Sequence, residues 1–287
     1  MRPTTETTTI LGVDAAWTAN EPSGVALAQR TLDRWRCIAV APSYDQFCGA
    51  AEGHEVDWEA PCRRGTPPDV LRLHDAASEL AGTSVDVIAV DMPVATVSIM
   101  GRRDADRAVS REFGSRLCAA HSPNADRPGQ IGTLFSSQAR DLGFDVATTC
   151  EHVTRGKSLV EVYPHPALLS LLARDCRVKY KTARTLAYWP GRSVRGRIAE
   201  LLTEYRAIHD ALVGAFGDVG FELPSAERVP SLAWLKRYED ALVCTWVGTQ
   251  YAEGQTVPLG NETAAVWCPC DVVRGTPAPA SRIVSPD

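Results

Sequence analysis

The stretch ILGVDAA, residues 10–16, decides the fold class, because it is apolar throughout except for Asp14. A continuous apolar run of this length predicts a strand that is buried on both faces. The stretch VDVIAVDMP, residues 85–93, repeats the pattern and reaches Asp91 near its end. Two buried strands that each end on a carboxylate predict an α/β protein with its chemistry at the strand ends.

The segments around these strands predict the rest of the fold. Residues 24–28 and 35–40 are short apolar runs with turn signals between them, which indicates an antiparallel meander. Residues 194–216 and 231–251 have apolar side chains at helical spacing and predict two long amphipathic helices. A meander that leads into parallel strands gives a mixed five-stranded sheet flanked by helices, with helical insertions. Residues 264–268 are a candidate closing strand.

The chain is expected to form one domain over residues 9–272, since no interior segment has the composition of a linker. Residues 1–8 are expected to be a flexible N-terminus. Residues 273–287 are rich in Pro, Ala and Ser and are expected to be a disordered tail. Within the domain, residues 42–68 mix Gly, Pro and acidic residues and are expected to form an irregular connection.

The composition excludes several classes of protein. Of the 287 residues, 45% are hydrophobic and 23% are charged, values that fit neither a fibrous nor a disordered chain. No run approaches the roughly 20 apolar residues that a membrane span requires, and the first residues lack the apolar core of a signal peptide. The nine cysteines form no C-x-x-C pair, which is typical of reduced thiols. We therefore expect a soluble cytoplasmic protein without membrane association.

Four acidic residues stand in apolar surroundings, where an unpaired carboxylate is costly. They are Asp14, Asp91, Glu161 in the apolar run of residues 158–164, and Asp240 in the last predicted helix. A shared divalent cation would satisfy several of them, and oxygen ligands favour magnesium or manganese over zinc. Two such ions would activate water for phosphodiester hydrolysis. We predict all four as catalytic residues and metal ligands, with Glu161 as a ligand or a water-positioning base.

Each acid also has a purely structural explanation. The two strand-end aspartates could hydrogen-bond the turns that follow them. Asp240 could pair with Lys236, one helical turn earlier. Glu161 could form an ion pair with one of three arginines in the polar segment before it: Arg103, Arg107 or Arg111.

Seven motifs follow one another in an order that resembles a known family. They are Gly12-Val13-Asp14, Gly24-Val25-Ala26, Val90-Asp91-Met92-Pro93, the Arg/Asp-rich residues 102–114, Val160-Glu161-Val162-Tyr163-Pro164, Lys179-Tyr180-Lys181-Thr182 and Tyr238-Glu239-Asp240-Ala241-Leu242. The series, from Ile10 to about Pro269, resembles a predicted nuclease family catalogued as domain of unknown function 429. The resemblance implies a ribonuclease H-like fold with the four acids as candidate metal ligands. It also implies that three residues lie near the substrate entrance: Arg103, Asp104 and Arg111.

The segment after the third buried run is basic, and aromatic residues are interleaved with its cations. The cations are Lys179, Lys181, Arg184, Arg192, Arg195 and Arg197, and the aromatic residues are Tyr180, Tyr188 and Trp189. Such a mix suits phosphate contact with base stacking, although a solvated helix face carries the same charges. The predicted partner is nucleic acid, and the predicted substrate-binding residues are Arg103, Arg111, Lys179 and Lys181.

Three functions are compatible with these residues. The leading one is a divalent-metal-dependent nuclease, a hydrolase of phosphodiester bonds. A magnesium-ATP phosphotransferase or ATPase would use the same strand-end acids, but no glycine-rich phosphate turn follows Asp14 or Asp91. A non-catalytic binding module is the third, and the net charge of −5 suits it better than it suits a free nuclease.

Overall fold

The computed structural model of the chain describes residues 7–18, 20–32, 34–58, 64–150, 156–223 and 235–274. The expected flexible N-terminus and the expected tail from residue 273 onward lie almost entirely outside these ranges. Thr8 is already the first residue of a strand, and residues 273 and 274 close the described part.

The described residues contain eight strands, which form one mixed sheet. The strands are β1 (Thr8–Asp14), β2 (Gly24–Thr31), β3 (Arg34–Ala41), β4 (Val87–Val90), β5 (Asp145–Val146), β6 (Ser158–Glu161), β7 (Thr256–Gly260) and β8 (Ala265–Pro269). Their order across the sheet is β3-β2-β1-β4-β6-β8-β7, and β5 pairs with β6.

The pairing confirms a meander that leads into parallel strands. β1, β2 and β3 are antiparallel, whereas β4 is parallel to β1 and β6 is parallel to β4. β8 confirms the candidate closing strand at residues 264–268. The predicted count of five strands is nevertheless wrong, because β5, β7 and β8 extend the sheet. β5 has two residues and β7 is half-exposed along its length, so neither has the apolar run that marks a buried strand.

Eight α-helices lie in the described residues. They are α1 (Tyr44–Ala51), α2 (Val70–Ala81), α3 (Asp104–Phe113), α4 (Gln130–Asp141), α5 (Pro164–Leu171), α6 (Thr185–Tyr188), α7 (Val194–Phe216) and α8 (Leu235–Ala252). α1 corrects the expectation of an irregular connection there: its eight residues are too few for a clear helical period, but Ser43 caps its first turn. Among the described residues, no helix combines the length and apolar content that a membrane crossing needs.

The helices cover both faces of the sheet. Successive side chains of a strand point to opposite faces. Ile10 of β1 accordingly belongs to the core beneath α7 and α8, and Leu11 to the core beneath α1, α2 and α4. The neighbouring strand β4 divides in the same way, with Ala89 on the first face and Ile88 on the second. The central strands are therefore buried on both sides, as their apolar runs predict.

Helix α8 packs directly against β1 because two glycines leave room for it. A Cβ atom at Gly12 would lie 2.5 Å from the carbonyl oxygen of Ala241 and would overlap the hydroxyl of Thr245. A Cβ atom at Gly248 of α8 would overlap the side chain of Ile10. This close approach brings Asp240, one residue before Ala241, to the end of β1.

Candidate functional site

A cavity of about 660 Å³ opens at the carboxyl ends of the parallel strands. Ligands of α/β proteins gather at this edge of the sheet, where the loops that follow the strands diverge. The residues that line it include the strand-end acids Asp14, Asp91 and Glu161 together with Arg103, His121, Arg127 and Lys181. It therefore contains both carboxylates and cationic side chains.

Three aspartates converge at this edge. Asp14, Asp91 and Asp240 each offer a carboxylate oxygen, and these oxygens all lie within 4.8 Å of one another. Asp14 is the last residue of β1, and Asp91 follows β4 directly. The backbone N–H of Asp91 donates to the carbonyl of Val13 at 2.9 Å, so the parallel ladder continues to the two aspartates.

The burial of the three carboxylates strengthens their mutual repulsion, which a shared cation would relieve. Asp240 is 2% exposed and Asp14 is 8% exposed, while Asp91 is half-buried and faces the cavity. Like charges this close repel strongly where water is scarce. The donor set consists of oxygen atoms alone, which suits a hard divalent cation such as magnesium or manganese. The acidic cluster can therefore hold a metal ion.

Tyr180 supports the cluster from within the core. Its hydroxyl donates to Oδ1 of Asp240 at 2.6 Å, and the side chain is fully buried. Burial raises the pKa of the Tyr180 hydroxyl well above its usual value, and the charges of Asp240, Asp91 and Asp14 raise it further. Tyr180 therefore remains a proton donor to the cluster. The sequence indicated a stacking surface for this tyrosine, whereas the fold places it in the interior.

Glu161 lies outside the aspartate cluster and is paired with Arg103. Nη1 and Nη2 of Arg103 donate to Oε2 and Oε1 of Glu161, each at 2.6 Å. Both side chains are at most 9% exposed. Of the two explanations offered by the sequence, the ion pair with a nearby arginine is the one that the geometry provides. Burial alone would lower the pKa of Arg103, but the charges of Glu161 and Asp106 raise it, so the arginine stays charged.

The Glu161–Arg103 pair holds the loop that follows Asp91. Val94 donates its N–H to Oε2 of Glu161 at 2.9 Å and accepts from Nη1 of Arg103 at its carbonyl, also at 2.9 Å. Arg103 also binds Asp106 at the start of α3. The guanidinium of Arg103 donates to the Asp106 carboxylate at 2.7 Å, and the backbone N–H of Arg103 donates to it at 2.8 Å. Arg103 lines the cavity, yet its donors are directed at protein groups.

The predicted substrate-binding residues divide between the cavity and the surface. Lys181 lines the cavity, as Arg103 does. Lys179 and Arg111 are exposed and are not among its lining residues. His121 and Arg127 do line it, although the sequence did not single them out, because they belong to an irregular segment without periodicity. Only the fold brings that segment to the edge of the sheet.

A model of one protein family, described as a protein of unknown function (DUF429), matches residues 12–264. The chain belongs to the DUF429 family. No curated protein and no solved structure gives a significant match. In this DUF429 member the three clustered aspartates, the Glu161–Arg103 pair and Tyr180 all lie within the matched residues.

Proposed function

We propose that this DUF429 protein is a divalent-metal-dependent phosphodiesterase that cleaves nucleic acid. The observation that carries the proposal is the convergence of Asp14, Asp91 and Asp240 within 4.8 Å, at the edge of the sheet where a cavity opens. Carboxylates on separate elements that meet in one cleft are a common arrangement for metal-assisted phosphoryl chemistry.

The proposal includes a ribonuclease H-like fold for the central sheet. Three antiparallel strands, β1 to β3, are followed by β4 and β6, which continue the sheet in parallel from β1. This arrangement supports the ribonuclease H-like sheet that the resemblance to a predicted nuclease family implies. The two strand-end aspartates then occupy neighbouring strands, as a shared cation requires.

The residues of the chain fit the metal that the proposal needs. Asp14, Asp91 and Asp240 would hold magnesium or manganese, and Tyr180 fixes the orientation of the Asp240 carboxylate. When bound, the cation would polarise a phosphoryl oxygen and lower the pKa of a water molecule. The Glu161–Arg103 pair keeps the backbone after Asp91 in place, so this carboxylate need not reorganise when substrate enters.

The test combines metal binding with cleavage. Titration calorimetry with magnesium and manganese should show saturable binding to the wild type and loss of binding in Asp14→Asn and Asp91→Asn. Asp145→Asn is the matched control, because this exposed aspartate of β5 is remote from the cluster in the sheet. Manganese-dependent cleavage of labelled DNA and RNA oligonucleotides should follow the same pattern, with unchanged circular dichroism.

Two outcomes would overturn the proposal. One is a wild type that binds no divalent cation even with an oligonucleotide present; the other is cleavage that persists unchanged in Asp14→Asn and Asp91→Asn. Metal-dependent hydrolysis of ATP in place of cleavage would favour a phosphotransferase. Oligonucleotide binding without cleavage would favour a non-catalytic binding module.

A further inference from the structure

The loop that follows β1 brings a tryptophan to the cavity. Trp17 lies three residues after Asp14 and lines the cavity together with Asp14 and Asp91. Its side chain is half-buried and packs against the core beneath α1, α2 and α4. Among the described residues, nothing hydrogen-bonds the indole N–H of Trp17, and no other aromatic ring contacts its ring. The indole is therefore supported by the core and is available to a molecule that enters the cavity.

The loop that carries Trp17 is held in place by two neighbouring contacts. The backbone N–H of Ala16 donates to the hydroxyl of Ser23 at 2.9 Å, and the backbone N–H of Gly65 donates to the carbonyl of Asn20 at 2.9 Å. A Cβ atom at Gly65 would overlap the backbone of the same loop, so the two segments pack closely. A side chain on an anchored loop loses little conformational entropy when a ligand binds to it.

The surroundings of Trp17 suit a flat, uncharged group better than a phosphate. Pro22 of the same loop and Met92 of the core that Trp17 packs against also line the cavity. Glu21, an exposed acid next to Pro22, lines it as well and would repel a phosphate there. The volume of about 660 Å³ falls within the roughly 300–1,000 Å³ of pockets that enclose whole organic ligands, so the cavity has room for more than a phosphate.

We infer that Trp17 stacks on a nucleobase of the nucleic-acid strand whose phosphodiester lies at the three aspartates. The inference rests on the proposed function, because it assigns the substrate class of the same cavity. Base and phosphate are linked through one sugar, so a phosphodiester at the aspartates places a base beside the loop after β1. The apolar ring of Trp17 then covers a face of this base.

The inference narrows the substrate to nucleic acid that is single-stranded or locally unpaired. A base that stacks on a protein side chain must first leave the stack of its own duplex, which an unpaired base does at little cost. Stacking tolerates every base, because every base has an aromatic face. We therefore expect a preference for unpaired strands with little preference for sequence at this position.

The test measures the part of oligonucleotide binding that depends on the bases. Short fluorescent strands with neutral methylphosphonate linkages are titrated with protein in EDTA, so that neither a metal ion nor repulsion between carboxylates and phosphates enters the comparison. One strand carries bases, a second is abasic throughout, and a third is a closed hairpin duplex. The wild type should bind the strand with bases between about 5-fold and 100-fold more tightly than the abasic strand, the affinity that one stacked base typically contributes. The duplex should bind like the abasic strand.

Three variants assign the preference to one side chain. Trp17→Leu keeps an apolar contact with the core but has no aromatic face, and it should reduce the ratio of the two affinities at least about fivefold. Trp17→Phe retains a smaller ring and should keep most of the ratio. Trp35→Leu is the matched control, because Trp35 on β3 is also half-buried but does not line the cavity, and it should leave the ratio unchanged. Thermal denaturation verifies that the variants are folded.

Three results would overturn the inference: a wild type that does not distinguish the strand with bases from the abasic strand, a Trp17→Leu variant with the wild-type ratio, or equal binding of the duplex and the single strand. Because the assay contains no metal, its failure is separate from failure of the proposed function. Metal-dependent cleavage by a protein without a base preference would refute only the stacking role of Trp17. A base preference without metal binding or cleavage would refute only the metal-dependent hydrolase.

Discussion

Glu161 and Arg103 form a buried ion pair through two hydrogen bonds of 2.6 Å, directly beside three clustered aspartates. The arrangement separates two kinds of acid at one edge of the sheet. The aspartates face one another and could hold a metal ion, whereas Glu161 is paired with Arg103, the residue before α3. The same pair binds both the N–H and the carbonyl of Val94, so it connects β6 and α3 to the loop after Asp91.

Glu161→Gln should therefore destabilise the protein without removing its metal site. Loss of the Glu161 charge leaves the buried guanidinium of Arg103 with Asp106 as its acidic partner, and the expected decrease in the free energy of unfolding is at most about 3–5 kcal/mol. Urea denaturation measures it. At a temperature where the variant is folded, calorimetry should give the wild-type stoichiometry for magnesium or manganese.

The matched control for this prediction is Arg107→Gln. Arg107 pairs with Asp104 at 2.7 Å, but both side chains are more than half exposed, so the expected loss is only about 0–1 kcal/mol. A Glu161→Gln variant that is as stable as the wild type yet binds no metal would identify Glu161 as a ligand.

Gly12→Ala should separate α8 from β1. The added methyl group would meet the backbone of Ala241 and the side chain of Thr245, neither of which has room to yield. The expected loss is at least about 1–3 kcal/mol, together with weaker metal binding because Asp240 moves away from Asp14. Denaturation and calorimetry measure the two effects.

Gly214→Ala is the comparison for Gly12→Ala. This glycine is exposed in α7 and has open space around its Cβ position, so alanine should stabilise the helix by about 1 kcal/mol or less. If both alanine variants were equally stable and bound metal equally, close packing of α8 on β1 would not be what positions Asp240.

Tyr180→Phe should weaken metal binding while it preserves the ring packing. The variant removes the hydroxyl that donates to Oδ1 of Asp240 at 2.6 Å. Outer contacts of this kind typically account for 10-fold to 100-fold in metal affinity, and a titration of the variant with manganese gives the value. Tyr188→Phe is the control, because the hydroxyl of Tyr188 has no hydrogen-bond partner among the described residues. Equal affinities of the two variants would remove Tyr180 from the site.

The cysteines should differ widely in their reaction with iodoacetamide. Cys150 and Cys176 are exposed, while Cys118 is buried. Burial raises the pKa of the Cys118 thiol to about 11, against the opposing charges of Arg177 and Arg116. The thiolate fraction of Cys118 at mildly alkaline pH is then about 100-fold below that of an ordinary thiol, and its labelling is correspondingly slow.

Mass spectrometry of timed, quenched samples tests this order of labelling. The exposed Cys150 and Cys176 should be modified first, and the difference from Cys118 should vanish in urea. Rapid labelling of Cys118 in the folded protein would mean that the hydrophobic cluster of Cys118 and α3 becomes accessible to solvent more often than its packing indicates.

The fold and part of the site could be predicted from the sequence because the relevant signals are local. Asp14 and Asp91 each follow an apolar run, and parallel neighbours bring their ends together. The partner of Glu161 could not be selected in this way. Arg103 lies 58 residues away in sequence, and an acid in an apolar run looks the same whether a metal or an arginine neutralises it.

Other features of the site depend on tertiary contacts that the periodicity of the sequence does not predict. His121 and Arg127 reach the cavity from an irregular segment, and their role depends on where the chain folds back. α3 has a polar sequence in which only Ala105, Val109 and Phe113 are buried apolar residues, and the sequence indicated just a polar segment there. Its first turn is fixed by the contact between Arg103 and Asp106, a feature of three-dimensional structure.

The docking of α8 on β1 has a consequence for the protein during its synthesis. β1 and β4 leave the ribosome before α8, so a growing chain carries Asp14 and Asp91 before it carries Asp240. A polypeptide that stops before this helix has only two of the three acids, and the space along Gly12 stays unfilled. Under the proposed function, translation products that lack α8 are inert, and the cleavage activity is withheld until this helix has been made.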